Sequence, residues 1–323
     1  MNPARRVPVA VVGAGRFGRH HCRIVHQSLR ADLVAVVDVE PSRAAEVAAL
    51  YGSQAMADYR ELPGKVEAAI VAAPTSAHAG VGCALLESGI HVLVEKPIAA
   101  DLSSADRLLD AAKRSGSILQ VGHLERFNPA VCALETRTRL PLFFEIHRLS
   151  IFDQRSLDID VVLDLMIHDI DIVLNLVERD LQEVRAAGIS ILSGKVDIAN
   201  VRLQFEGGCV ANLTASRVST DRVRKLRLFQ PQQYVSLDYG RQDAVIFTVN
   251  RDRKLSFEQL PITKAEPLAL QFDAFLDSIE TRKAPKTSGP AARRTLEVAL
   301  LILDKIKEHA EVVEQSLLTG WNL

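Results

Sequence analysis

The chain has 323 residues, 48% hydrophobic and 24% charged, with 39 basic against 40 acidic side chains and a net charge of −1. That length suits two domains, each with its own core, and the balanced charge gives no reason to expect nucleic acid or an anionic membrane as partner. The four cysteines, Cys22, Cys83, Cys132 and Cys209, show no metal-ligand spacing; they read as small buried hydrophobes of a reducing, cytoplasmic setting, with no metal expected. Pro8 interrupts the short apolar run near the start, so neither a signal peptide nor a membrane span is read.

VPVAVV (7–12) is an apolar run suited to a strand buried on both faces. GAGRFG follows and leads into a helical stretch to about Ser28. The motif Gly13-x-Gly15-x-x-Gly18 carries weight because it sits between strand and helix. Its glycines permit a tight turn, close approach of backbone to a pyrophosphate, and close helix–strand packing. A second strand, DLVAVVD (32–38), ends in Asp38, twenty residues beyond Gly18. An acid there can accept hydrogen bonds from an adenosine ribose and opposes a 2′-phosphate, so the expected cofactor is NAD. Arg43, five residues on, could soften that preference.

The alternation continues with a strand at 67–73, a helix at 76–88, a strand at 91–95, a helix at 101–115 capped by Asp101, and a strand at 117–123. Such a pattern predicts a doubly wound parallel sheet with ligands at the carboxyl ends of its strands. The residues that leave those strands are Ala73-Pro74-Thr75, Glu95-Lys96-Pro97 and His123. A lysine leaving a buried strand toward a cofactor crevice can have its pKa lowered by desolvation and by a nearby nicotinamide cation. Lys96 could then exchange a proton with a substrate hydroxyl.

After His123 the pattern changes, and the boundary is drawn there: 1–123 as the dinucleotide-binding domain, 124–323 as the substrate-binding and oligomerisation domain. A loop (LERFNP) and a short helix lead to a strand at 140–149. From about 181 to 260 most segments alternate with period two, as in VRLQF (201–205), which predicts a mostly antiparallel sheet backed by one layer of helices. PLALQFDAFLDSIETR and AARRTLEVALLILDKIKEHA supply two further helices. With helices enough for one face only, the sheet calls for a partner copy, so a homodimer or homotetramer is expected.

Between the strand and the sheet lies VVLDLMIHDIDIVLNLV (161–177), almost wholly apolar apart from its acids and His168. At about 100° per residue on a helix, Asp160, Asp164, His168 and Asp171 fall on one stripe. Buried charge costs several kcal/mol unless it is paired or used.

A dinucleotide-binding domain followed by a helix-backed open sheet, with Gly13-Ala14-Gly15-Arg16-Phe17-Gly18, Glu95-Lys96-Pro97 and Asp164-x-x-x-His168-x-x-Asp171, resembles the Gfo/Idh/MocA oxidoreductase family over essentially the whole chain. The resemblance implies an α/β chain, with an N-terminal Rossmann sheet and a C-terminal α+β domain. It also implies that Lys96, Asp164 and His168 line the site where a sugar or polyol hydroxyl meets the nicotinamide. On it, the cofactor residues are Gly13, Gly15, Arg16, Phe17, Gly18, Asp38, Arg43, Ala73, Pro74, Thr75, His78, Glu95 and Lys96.

VGHLERFNPA (121–130), HRLS (147–150), RS (155–156) and DVVLDLMIHDID (160–171) look like the branch that oxidises the 3-hydroxyl of UDP-N-acetylglucosamine. The substrate side then comprises His123, Arg126, Asn128, Arg148, Arg155 and Asp171, the three arginines suiting a diphosphate. The alternatives are a dehydrogenase of free sugar or inositol, an NAD-retaining glycosidase, and a cofactor-binding regulator. A regulator would be expected to have lost Lys96 or His168, and both are present.

Overall fold

The computed structural model describes residues 5–152, 159–250 and 252–320. The chain opens with β1 (Val7–Val12), α1 (Arg16–Gln27), β2 (Ala31–Val37), α2 (Pro41–Tyr51), β3 (Gln54–Met56) and β4 (Ala68–Val71). There follow α3 (Thr75–Glu87), β5 (His91–Val94), α4 (Leu102–Ser115) and β6 (Leu119–Val121). The strands pair in parallel in the order β3-β2-β1-β4-β5-β6. The order reverses between β1 and β4, the switch point at which such sheets hold their ligands. Asp101 caps α4 as expected, its carboxylate accepting from Ser104 N at 2.7 Å.

α2 and β3 are passed over by the sequence reading. The helix nonetheless has a legible start and stop, Pro41 in its first turn and left-handed Gly52 (φ 65°) at its end. β3 has only three residues, two of them exposed, and no apolar pattern to betray it.

The rest comprises α5 (Pro129–Arg137), β7 (Phe143–Ile151), α6 (Ile167–Val177), β8 (Leu181–Ile189), β9 (Ile198–Phe205), β10 (Val210–Ser219) and β11 (Val223–Gln230). β12 (Gln233–Asp238), β13 (Asp243–Val249), β14 (Leu255–Gln259), α7 (Pro267–Thr281) and α8 (Gly289–Gly320) complete it. Strands β7 to β14 form one sheet in the order β14-β13-β12-β11-β7-β10-β9-β8. Its pairs are antiparallel except β7 with β10. Phe144, Ile146, Leu228, Val235 and Ile246 point into a core shared with Ile170 and Val173 of α6 and with Val298 and Ile302 of α8.

The two compact units do not follow the boundary read from the sequence. One comprises residues up to Phe127 together with Glu266–Leu296, the other Asn128–Ala265 together with Glu297 onward. α7, read from the sequence as part of the second domain, buries Leu268, Phe272, Phe275, Leu276 and Ile279 in the core that holds Val9, Ile70 and Leu93. Arg30 of the N-terminal unit donates to Asp277 on this helix at 2.7 Å. Amphipathic spacing identifies the buried face of a helix but not the core that receives it.

The helix carrying the polar stripe also differs from the regular one expected. Val162–Met166 is a single π-turn, closed by Ile167 N donating to Val162 O, and regular α-helix begins only at Ile167. Each residue of a π-turn advances less than in an α-helix, so the stripe angles computed for one continuous helix do not hold across it. Asp160 precedes the turn and is structural: its Oδ1 accepts from Val196 N at 2.9 Å and its carbonyl from Leu163 N and Asp164 N.

Candidate active site

In the N-terminal unit the three motif glycines do different things. Gly13 has φ +99°, and a Cβ there would lie 2.6 Å from Ala72 O. A Cβ on Gly18 would fall 1.7 Å from Gly13 O, so α1 packs against the turn only because Gly18 has no side chain. A Cβ on Gly15 meets no described atom within 4 Å, which leaves space over the start of α1. That arrangement fits a pyrophosphate held by backbone N–H groups at a helix N-terminus. Arg16 and Phe17, in the first turn, are exposed.

Asp38 follows β2 and is buried, with both carboxylate oxygens engaged. Oδ2 accepts from Ala14 N at 2.8 Å, and Oδ1 accepts from Glu40 N at 2.9 Å and lies 3.4 Å from the Arg43 guanidinium. The residue therefore pins the glycine turn as well as lining a cavity of about 510 Å³ with Gly13, Arg43, Ala73 and Pro74. Val12, Val37, Val39, Ala77 and Val81 make the walls largely apolar. An apolar cavity with a carboxylate on its lining suits an adenosine, so these residues fit NAD. Tyr59, also on the lining, is absent from the sequence reading because it lies in a short 3-10 turn, outside any strand end. Thr75 opens α3 beside Pro74.

Lys96 follows β5, half-buried, in the loop Glu95-Lys96-Pro97, whose Lys96–Pro97 peptide is cis. Its neighbours are gripped by two buried histidines. His21 of α1 donates from Nε2 to Glu95 Oε1 at 2.7 Å. His78 of α3 lies between two carbonyls, Nδ1 at 2.9 Å from Pro97 O and Nε2 at 2.9 Å from Ala73 O. Burial pushes the Glu95 carboxyl up, but the His21 hydrogen bond and the neighbouring charges outweigh it and hold the group below the ordinary carboxylate range. Burial pushes His78 down, and the two carbonyls only partly restore it. His21 is a residue that sequence reasoning missed. Beyond β6, His123 is buried just before a 3-10 turn (Leu124–Phe127) that holds the buried Arg126, whose N donates to His123 O.

In the C-terminal unit, Asp164 lies in the π-turn and His168 in the first turn of α6, both half-buried, with Asp171 buried one turn on. π-turns recur at functional sites. Two residues expected on the substrate side prove to be engaged within the fold. Arg148 on β7 is buried and makes a two-pronged ion pair with Asp169, Nε to Oδ2 at 2.7 Å and Nη2 to Oδ1 at 2.8 Å. Its guanidinium carbon also lies 4.9 Å from the Tyr239 ring centroid. Asn128 caps α5, its Oδ1 accepting from Ala130 N and its Nδ2 donating to Tyr239 O. The sequence reading weighed Asp164 and Asp171 as polar groups in a core and passed over Asp169 between them. Arg155 lies outside the described residues.

Among the described residues no cluster of His, Cys, Asp or Glu could hold a metal ion, and no helix is long and apolar enough to cross a membrane.

Residues 7–123 match the family model described as an oxidoreductase family with an NAD-binding Rossmann fold, and residues 135–231 match the Gfo/Idh/MocA C-terminal domain. UDP-N-acetylglucosamine 3-dehydrogenase of Acidithiobacillus ferrooxidans is 35% identical over 298 residues, 90% of this chain and 95% of that protein. The chain belongs to the Gfo/Idh/MocA oxidoreductase family. The solved structure of the Acidithiobacillus enzyme has a TM-score of 0.89 at 33% identity, covering 94% of this chain and 98% of that one. Inositol 2-dehydrogenase of Acidothermus cellulolyticus is 32% identical over 193 residues, 56% of this chain and 57% of that protein. A levoglucosan dehydrogenase in complex with NADH and levoglucosan shares the fold, with a TM-score of 0.85 at 17% identity. As a member of this family the chain is an oxidoreductase whose N-terminal unit is an NAD-binding Rossmann fold.

Proposed function

We propose that the chain oxidises the C3 hydroxyl of UDP-N-acetylglucosamine to a ketone. The observation that carries this reading is the 35% identity to the Acidithiobacillus UDP-N-acetylglucosamine 3-dehydrogenase, which extends over 90% of the chain. NAD, when bound, supplies the acceptor for the hydride that leaves the carbinol carbon. The glycine turn and the start of α1 hold its pyrophosphate, and Asp38, Arg43, Ala73 and Pro74 hold its adenosine.

The protein's own task is the proton. A carbinol hydrogen leaves as hydride only while the hydroxyl loses its proton, so a base must reach that oxygen. His168 and Lys96 serve this purpose, one accepting the proton while the other polarises the oxygen, and Asp164 orients them. His123, Asp171 and Arg126 serve the sugar nucleotide, with Arg155 as a second diphosphate partner. Asn128 and Arg148 belong to the same set, Arg148 being held at Nε and Nη2 by Asp169.

The test is NAD reduction with UDP-N-acetylglucosamine, the keto product being trapped by a transaminase and glutamate. Lys96→Ala and His168→Ala should each lose about 10²–10⁴-fold in turnover while still binding NAD. Free N-acetylglucosamine should be a very poor substrate, since the nucleotide's binding energy orients the sugar. If free inositol or glucose is oxidised and no UDP-sugar is, the substrate assignment fails. The similarity to inositol 2-dehydrogenase makes that the second reading.

A further inference from the structure

We infer that His21 and His78 are positioning residues that hold Lys96 by its two chain neighbours, one from each of two helices. The inference rests on the proposed role of Lys96 in handling the substrate proton. A lysine has four rotatable side-chain bonds, so its amine is only as well placed as the backbone that carries it. Lys96 sits in the loop between β5 and α4, with Glu95 before it and Pro97 after it. His21 reaches that loop from α1, donating to the Glu95 carboxylate at 2.7 Å. His78 reaches it from α3, its Nδ1 2.9 Å from the Pro97 carbonyl. Both rings are essentially inaccessible, at 0% and 1% exposed.

The grip on each side is completed by backbone. The other Glu95 oxygen accepts from Lys96 N at 3.2 Å, so the carboxylate links the His21 ring to the lysine's own peptide. Gly122 makes room for that carboxylate, since a Cβ there would lie 2.8 Å from Glu95 Oε2. On the far side, His78 Nε2 lies 2.9 Å from Ala73 O, which joins the lysine loop to a wall of the cofactor cavity. A neutral imidazole donates to one of these two carbonyls and an imidazolium to both. Two ordinary core histidines would satisfy their hydrogen bonds anywhere in reach. These two converge on the residues flanking one lysine, from helices that both begin at the cofactor turns.

The experiment compares His21→Ala, His78→Ala, their glutamine counterparts and Lys96→Ala. It measures kcat and KM for the sugar nucleotide, the dissociation constant of NADH, and the rate at which an amine-reactive acylating reagent labels Lys96 in cofactor-free protein, read by mass spectrometry. Each alanine variant should lower kcat about 10- to 100-fold, the scale of a misplaced reacting group, with Lys96 labelled faster, and His21→Ala should leave NADH affinity nearly unchanged. The glutamine variants keep an N–H donor and should recover much of the rate. Alanine variants with wild-type kcat and labelling, beside an inactive Lys96→Ala, overturn the clamp alone. A Lys96→Ala with full turnover overturns the role of Lys96 and the clamp with it. Where an alanine variant does not fold, glutamine and leucine at that position replace it. Recovery by glutamine over leucine is then expected, and equal rates overturn the inference.

Discussion

Asp38 does two jobs with one side chain. Its carboxylate fixes the glycine turn through Ala14 N, and its charge stands at the side of the adenosine cavity. Bringing a 2′-phosphate to contact distance from it costs about 1–4 kcal/mol at the dielectrics near a protein surface. NADH should therefore bind at least about fivefold more tightly than NADPH. Arg43 lies on the same carboxylate and would become available if the charge were removed, so Asp38→Asn should narrow the gap. Titrating both reduced cofactors into both proteins checks this, and equal or tighter NADPH binding by the wild type would refute it. Asp38 was legible because both cues, the strand end and the distance from Gly18, are local. His21 was not, because nothing in α1 indicates that its ring meets a carboxylate 74 residues away.

At the scale of elements, the buried pair of Arg148 and Asp169 joins β7 to α6, the helix that carries His168. An ion pair this deep is costly to form, and removing one partner leaves the other charge buried without compensation. Arg148→Ala or Asp169→Ala should cost about 3–5 kcal/mol of stability, measurable by denaturant unfolding. A loss below about 1 kcal/mol, the worth of an exposed pair, would show that the pair does not anchor the helix. The sequence makes the apolar helix plain and its break at the π-turn invisible. Whether five residues take a wide turn depends on what holds the chain on either side, here the Asp160 contact with Val196.

At the scale of the whole molecule, the eight-stranded sheet buries one face and leaves an aromatic ladder on the other. Phe143, Phe229, Tyr234, Phe247 and Phe257 follow one another across β7, β11, β12, β13 and β14, with successive ring centroids 4.8–5.7 Å apart. Phe257 is 63% exposed and Phe229 37%. An apolar row of this length normally meets a partner, and a second copy of the chain is the expected one. Light scattering should give a dimer or tetramer at micromolar concentration. Tyr234→Glu with Phe247→Glu should shift it toward monomer with its circular dichroism kept; a monomeric wild type would overturn the expectation.

What the sequence determined by itself is what short-range rules control: the turn that requires Gly13 and Gly18, the acid at the end of β2, the alternation that builds the second sheet, and the lysine after β5. Each follows from allowed φ/ψ or from periodicity over a few residues. Only the tertiary structure decided that α7 completes the N-terminal core, that Arg148 is committed to Asp169, and that Asp160 anchors a turn. It also brought His21 and His78 to either side of Lys96. Those choices depend on which groups the topology places at hydrogen-bonding or packing distance. Residues from 19 to 247 positions apart come together only when the strand order and the helix packing are settled.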